Sequence, residues 1–151
     1  MIVVKPVCED DSKDIFTWRN DKVTREMFLT TDLVAWEEHE LWFENTLKND
    51  TRLLLMCIDT VINEKICVVR FDLDMNRALV SINLAPSMRG KGLAKRCLND
   101  AIIFLKTHTP SIDILDAEIK SINRASIATF RGVGFSKVGE KSSLLHFQCK
   151  I

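Results

Sequence analysis

The stretch Pro86-Ser87-Met88-Arg89-Gly90-Lys91-Gly92-Leu93-Ala94 joins a predicted strand to a predicted helix. Its two glycines allow the backbone to turn tightly and to approach a ligand closely. The helix that begins near Leu93 directs free N–H groups and its dipole at the loop, and Arg89 and Lys91 add positive charge. The stretch therefore predicts a phosphate or pyrophosphate site, although an ordinary basic turn would have the same composition. It matches neither the Walker A loop nor the dinucleotide fingerprint.

The hydrophobic pattern on either side of this loop predicts one α+β domain over residues 1–151. Asp11 and Ser12 are candidate caps of a first short helix, and a further helical turn is expected around Val23 to Phe28. The predicted strands are 2–8, 53–58, 65–72, 78–85, 112–120, 135–139 and 144–150. The predicted longer helices are 35–48, 93–106 and 124–131. This order indicates a mixed sheet covered by helices on both faces.

Composition and charge exclude several classes of protein. The 151 residues carry 21 Lys plus Arg against 21 Asp plus Glu, so the basic excess of a nucleic-acid-binding module is absent. No apolar run approaches the length of a membrane helix, and the segment 1–6 is too short for a signal peptide. The five cysteines lack metal-ligand spacing. We therefore expect a cytoplasmic protein with reduced, mostly buried thiols, no metal, no nucleic-acid partner and no membrane partner.

A second segment adds to the loop. Residues 118–126 read EIKSINRAS, and residues 130–135 read FRGVGF. With the loop, they resemble the GCN5-related N-acetyltransferases, in which Arg/Gln-x-x-Gly-x-Gly/Ala follows the fourth strand and an Asn…Ser…aromatic…Gly-Phe pattern follows the fifth. The matching residues are Arg89, Gly92, Ala94, Asn123, Ser126, Phe130, Gly134 and Phe135. The resemblance covers the whole chain and implies a mostly antiparallel mixed sheet that is splayed between strands 4 and 5.

The resemblance also implies a cosubstrate and a reaction. Acetyl-CoA is expected in the split between those strands, with acetyl passing directly to an amine. The residues that the resemblance assigns to acetyl-CoA are Leu84, Pro86, Arg89, Gly90, Lys91, Gly92, Leu93, Ala94, Asn123 and Phe130. A backbone N–H near Leu84 would stabilise the oxyanion. Glu118 is the first candidate for the base that takes the amine proton; Asp72, Asp74 and His39 are weaker candidates, and Glu118 could instead be an ion-paired surface residue.

One position departs from the family pattern. The family commonly has a tyrosine on the last helix, which returns a proton to the CoA thiolate. This chain has Phe130 there and contains no tyrosine. Ser126 is a candidate acid in its place; Cys97, a water molecule or unassisted thiolate departure are the alternatives.

The N-terminal third suggests an acceptor. The segments Trp18-Arg19-Asn20-Asp21 and Glu38-His39, with Arg25 between them, resemble the N-acetyltransferases of the pseudaminic acid pathway and related nucleotide-amino-sugar pathways. The candidate substrate-binding residues are Trp18, Arg19, Asn20, Arg25 and His39. The arginines could grip a diphosphate, a tryptophan (Trp18, Trp36 or Trp42) could stack on a base, and His39 could bind a sugar hydroxyl. Core packing, helix capping and surface solvation are the competing interpretations.

Four functions remain open on the sequence. The first is acetylation of a nucleotide-linked amino sugar. The others are acetylation of a peptide N-terminus such as that of a ribosomal protein, acetylation of a small amine or polyamine, and a catalytically silent CoA-binding module. A homodimer is also compatible with the sequence, and strand exchange through residues 144–150 would be one route to it.

Overall fold

The computed structural model describes residues 1–151. It contains seven strands and five helices, with single 3₁₀ turns at Glu9–Asp11 and Pro86–Met88. The strands are β1 (Ile2–Pro6), β2 (Arg52–Asp59), β3 (Glu64–Asp74), β4 (Arg77–Leu84), β5 (Ile114–Lys120), β6 (Ser136–Lys141) and β7 (Leu144–Lys150). The helices are α1 (Ser12–Asn20), α2 (Lys22–Met27), α3 (Trp36–Leu47), α4 (Ala94–His108) and α5 (Arg124–Val133). The α+β organisation expected from the sequence is therefore confirmed.

All seven strands form one sheet in the order β1-β2-β3-β4-β5-β7-β6, antiparallel except for β4 and β5. The parallel pairing of β4 with β5 spans only three residue pairs, from Arg77↔Ile114 to Leu79↔Asp116. Both strands then continue, to Leu84 and Lys120, without pairing to each other. The sheet therefore splits at this point, as the family resemblance implies, and the split positions the site.

Helices cover both faces of the sheet centre. Leu54, Leu55, Met56 and Cys57 of β2 are all buried, although successive strand residues point to opposite faces. Helix α4 packs on the face that carries Cys57, where Cys97 meets it. Helices α1 and α3 lie over the face that carries Leu54. Strand β6, at the far edge, is mostly exposed.

One local detail differs from the sequence prediction, and another bears on the suggested strand exchange. Asp11 precedes α1, but its side chain does not cap that helix; it accepts from the Cys8 N–H at 3.0 Å and pairs with the Lys65 ammonium at 2.8 Å. Strand β7 is paired on one side with β5 and on the other with β6. Strand exchange through residues 144–150 would therefore have to displace β6.

Three of the five cysteines meet in the core. Cys57 and Cys67 face each other across β2 and β3, and Cys97 comes from the first turn of α4. All three are fully buried, and their sulfur atoms lie within 4.8 Å of one another. Cys8 is exposed and Cys149 is partly exposed. No helix of the chain combines the length and apolar character that crossing a bilayer requires.

Candidate active site

A cleft of about 790 Å³ lies where β4 and β5 diverge. It is bounded by β4, by the loop that follows β4, by β5, and by helices α2 and α5. The predicted cofactor residues that line it are Leu84, Arg89, Gly90, Gly92, Leu93, Ala94, Asn123 and Phe130. Pro86 and Lys91 are not part of its wall.

The loop presents a row of free donors to this cleft. None of the seven backbone N–H groups from Gly90 to Arg96 has an acceptor within the protein, and the first intrahelical bond of α4 is Cys97 N–H to the Leu93 carbonyl. Gly90 and Gly92 have φ of +72° and +71°, which side chains rarely adopt. Consecutive free N–H groups at the start of a 15-residue helix suit an anion. The loop therefore fits the pyrophosphate of acetyl-CoA.

The Arg89 side chain has a different partner from the one expected. Its guanidinium forms an ion pair with Asp21 and donates to the Thr24 hydroxyl at 2.7 Å, so it binds the start of α2. The hydrogen bond from Arg89 holds the pKa of the Asp21 carboxyl below its usual value. Asp21 also caps α2 by accepting from the Thr24 N–H at 3.1 Å. Arg89 thus fastens the cofactor loop to α2.

Helix α5 supplies the opposite wall of the cleft. Asn123 caps it by accepting from the Ser126 N–H at 3.2 Å, which commits the amide oxygen to the helix start. Ser126 lines the cleft, and no acceptor for its hydroxyl lies within the protein. Phe130 is buried, with its ring edge-to-face on Phe135 at a centroid distance of 4.9 Å. Of these side chains, Ser126 carries a hydroxyl that can give a proton.

A second cavity, of about 450 Å³, lies between the sheet and helices α1 to α3. It is lined by apolar side chains such as Trp42 and Leu54 and by a few charged ones. The two cavities share six wall residues, namely Met27, Phe28, Val80, Ser81, Asn83 and Glu118. Glu118, which is exposed on β5, is the carboxylate in the shared wall.

A backbone N–H near the end of β4 also faces the split between the strands. The Ala85 N–H donates to the Ile66 carbonyl of β3 at 2.8 Å. Since successive strand residues direct their N–H groups to opposite edges, the Leu84 N–H is directed toward the split. Glu118 in the shared wall is thus a candidate proton acceptor, and the Leu84 N–H in the wall of the larger cleft is a candidate donor to a developing oxyanion. That combination suits acyl transfer to an amine.

The five predicted acceptor residues are placed differently from one another. Trp18 is buried in the core, and Arg25 donates to the Thr31 and Asn20 carbonyls, each at 3.1 Å; neither residue lines either of the two cavities described above. Asn20 bonds both the N–H and the carbonyl of Val34 through its side chain. Asn20 and Arg25 thus hold the loop at 28–35 in place. Arg19 and His39 do line the second cavity, which we call the acceptor cavity.

His39 is buried rather than solvated. Its Nε2 lies 3.0 Å from both the hydroxyl and the carbonyl oxygen of Ser12. The ring packs among aromatic side chains and stacks on Phe43 at a centroid distance of 5.6 Å. Burial lowers its pKa below 6.5, against the opposing effect of the Ser12 hydrogen bond. His39 is therefore a neutral wall residue of the acceptor cavity near pH 7.

Some wall residues were not expected from the sequence. Val23, Met27 and Phe28 bring α2 and its end into the cofactor cleft, and Arg70 and Lys120 add cations to the acceptor cavity. The sequence signal for Arg70 was a charged residue inside an otherwise apolar strand, where charged side chains are uncommon. Nothing in the sequence indicated the docking of α2.

Comparison with known proteins places the chain in a family. The acetyltransferase (GNAT) domain model matches residues 2–136. Similar solved structures include a domain from Methanocaldococcus jannaschii DSM 2661 (TM-score 0.83, 18% identity, covering 100% of this chain and 99% of that one). They also include spermidine N-acetyltransferase from Vibrio cholerae with CoA and spermine (0.88, 15%, 99% and 95%).

Aminoglycoside acetyltransferase AAC(6')-Ib with coenzyme A is a third (TM-score 0.80, 15% identity, 99% and 95%). At these identities the structural likeness shows the fold. No curated protein matches the sequence significantly. The family model covers most of the chain, and the loop and the split sheet fit its cosubstrate. The chain therefore belongs to the GNAT family of acetyltransferases, and it is an acyltransferase with acetyl-CoA as its cosubstrate.

Proposed function

We propose that this enzyme transfers acetyl from acetyl-CoA directly to a primary amine held in the acceptor cavity. The observation that carries the proposal is the shared wall of the two cavities, where Glu118 lies beside β4. An amine in one cavity and a thioester in the other would meet at that wall. Both substrates bind before the chemistry begins, so no acetylated enzyme is required.

Each step uses a group of this chain. Glu118 takes the proton of the amine, directly or through a water, since only a neutral amine attacks. The Leu84 N–H donates to the oxygen of the thioester carbonyl as negative charge develops there. Ser126 is the proposed donor to the departing thiolate. Phe130 contributes packing and no proton.

The finer identity of the acceptor is also a proposal. The resemblance of the N-terminal third favours a nucleotide-linked amino sugar. The neighbours from V. cholerae and AAC(6')-Ib are described as acting on spermidine and on aminoglycosides. At 15% identity, the substrates of these two proteins do not indicate the acceptor of this chain. A cavity of about 450 Å³ has room for a small molecule that carries a primary amine.

Replacing the base tests the proposed function. Glu118→Gln keeps the shape of the side chain and removes its basicity, so kcat/KM should fall by roughly 10²–10⁴-fold. Affinity for CoA, measured by calorimetry, should stay unchanged. Glu38→Gln is the matched control, because Glu38 is an exposed carboxylate of the acceptor cavity outside the shared wall. Full activity in Glu118→Gln across pH 6–9 would refute the assignment.

A further inference from the structure

Two arginines of the acceptor cavity have buried N–H groups without an acceptor. These are Nη1 of Arg19, from α1, and Nε of Arg70, from β3. Arg19 uses Nη2 to donate to the Thr30 carbonyl at 3.2 Å, with its guanidinium 4.3 Å from the centre of the Phe28 ring. Arg70 uses Nη2 in an ion pair with Asp72 at 3.3 Å. Each guanidinium is thus held in place with a donor to spare.

The two charges act on each other. Burial, together with repulsion from Arg25 and Arg70, lowers the pKa of Arg19, against the attraction of Glu38. Lys120 is a third cation of the same wall, and its ammonium donates to the Glu26 carbonyl at 3.0 Å. The opposing carboxylates of the cavity are Glu38 and Glu118. If Glu118 takes the amine proton, its charge is neutralised and the cations outnumber the remaining carboxylate.

A buried donor without an acceptor is costly, and the cost is greater when the group is charged. Guanidinium groups match carboxylate and phosphate oxygens in geometry. Arg70 stands on the sheet between Leu54 and Ser81, which line the same cavity. Arg19 approaches from the helical side. An anion in the cavity would offset the two guanidinium charges and relieve the repulsion between them.

We infer that the acceptor is an amine that also carries an anionic group, a carboxylate or a phosphate, bound by Arg19 and Arg70 while the amine reaches Glu118. The inference rests on the proposed function and names the chemical class of its substrate. A nucleotide-linked amino sugar belongs to this class through its diphosphate. A polyamine does not, because it would add positive charge beside three cations.

Matched acceptor pairs test the inference. Phosphoethanolamine against ethanolamine probes the phosphate, 4-aminobutyrate against butylamine probes the carboxylate, and spermidine represents the polycations. We expect kcat/KM to favour the acid-bearing member of at least one pair by about tenfold or more. Arg70→Met should remove that preference by raising KM, with kcat nearly unchanged. Arg70→Lys, which keeps the charge and loses the fork, should restore part of it.

Arg52→Met is the control variant, because Arg52 also pairs with Asp72, at 3.7 Å, and lies outside the cavity wall. Equal or better turnover of the neutral amines and spermidine, unaffected by Arg70→Met, overturns the inference while the proposed function stands. If no amine is acetylated, the proposed function fails instead. Calorimetry with phosphoethanolamine and 4-aminobutyrate then decides the subsite: binding lost in Arg70→Met supports it, and no binding to the wild type overturns it.

Discussion

The substitution Gly92→Ala tests whether the left-handed backbone conformation of the cofactor loop is needed to bind CoA. At a φ of +71°, the left-handed conformation costs an L-residue roughly 1–2 kcal/mol of conformational free energy. A Cβ added there meets no atom of the protein within 4 Å, so the cost of Gly92→Ala is torsional and not steric. Without a ligand, the N–H groups of this loop have no partners to hold it, and an alanine loop can relax toward negative φ. Binding of CoA must then restore the left-handed conformation.

The strain should therefore appear in the affinity for CoA. A penalty of 1–2 kcal/mol corresponds to a Kd raised about 5–30-fold, measured by isothermal titration at 25 °C. Gly92→Asn should raise the Kd much less, because asparagine tolerates positive φ. Gly139→Ala is the control: its Cβ would lie 3.9 Å from the His146 Cβ, an ordinary contact far from the cleft. A wild-type Kd in Gly92→Ala, or equal losses for alanine and asparagine, would refute the torsional argument.

Two further predictions concern stability. Burial lowers the pKa of His39 below 6.5, so the unfolded chain binds a proton first as pH falls, and stability should drop below pH 6.5 by at most about 1.4 kcal/mol per pH unit. His39→Gln should flatten this slope in urea midpoints between pH 7.5 and 5.5; an unchanged slope would contradict it. Asp21→Asn keeps an oxygen that accepts from the Thr24 N–H but loses the ion pair with Arg89. The free energy of unfolding should therefore fall by less than about 1 kcal/mol. Asp21→Ala loses both and should cost about 1 kcal/mol more in thermal unfolding; equal midpoints would show that the cap contributes nothing.

Local signals predicted the fold and the cofactor loop. Alternation and turn residues marked the strands, and Gly90 and Gly92 marked a turn whose backbone geometry depends on few neighbours. The split between β4 and β5 was expected from the family resemblance alone, because no local sequence pattern predicts how far two parallel strands remain paired. Strand β7 has the predicted bounds, whereas the ends of the other strands differ from the prediction by one or two residues, because strand ends depend on tertiary partners.

The details of the site depend on contacts between distant parts of the chain. Arg89 was expected to add charge for an anion, yet its partner Asp21 lies on another element 68 positions away. His39 lies on a helix that appears acidic and solvated in sequence, but Phe16 and Phe43 enclose its ring. Arg70 stands out in the sequence as a cation inside an apolar strand, but the sequence does not show that its Nε lacks an acceptor in the folded chain.

The reactivity of the buried cysteines can report the opening of the protein core. An alkylating reagent can reach Cys8 in the folded chain, whereas Cys57, Cys67 and Cys97 have no accessible surface and react only when the core opens. Their positions join β2, β3 and the first turn of α4, directly behind the free N–H groups of the cofactor loop. The alkylation rate of these three thiols, followed by mass spectrometry, therefore reports how often α4 separates from the sheet. Bound CoA should lower that rate and leave the alkylation rate of Cys8 unchanged.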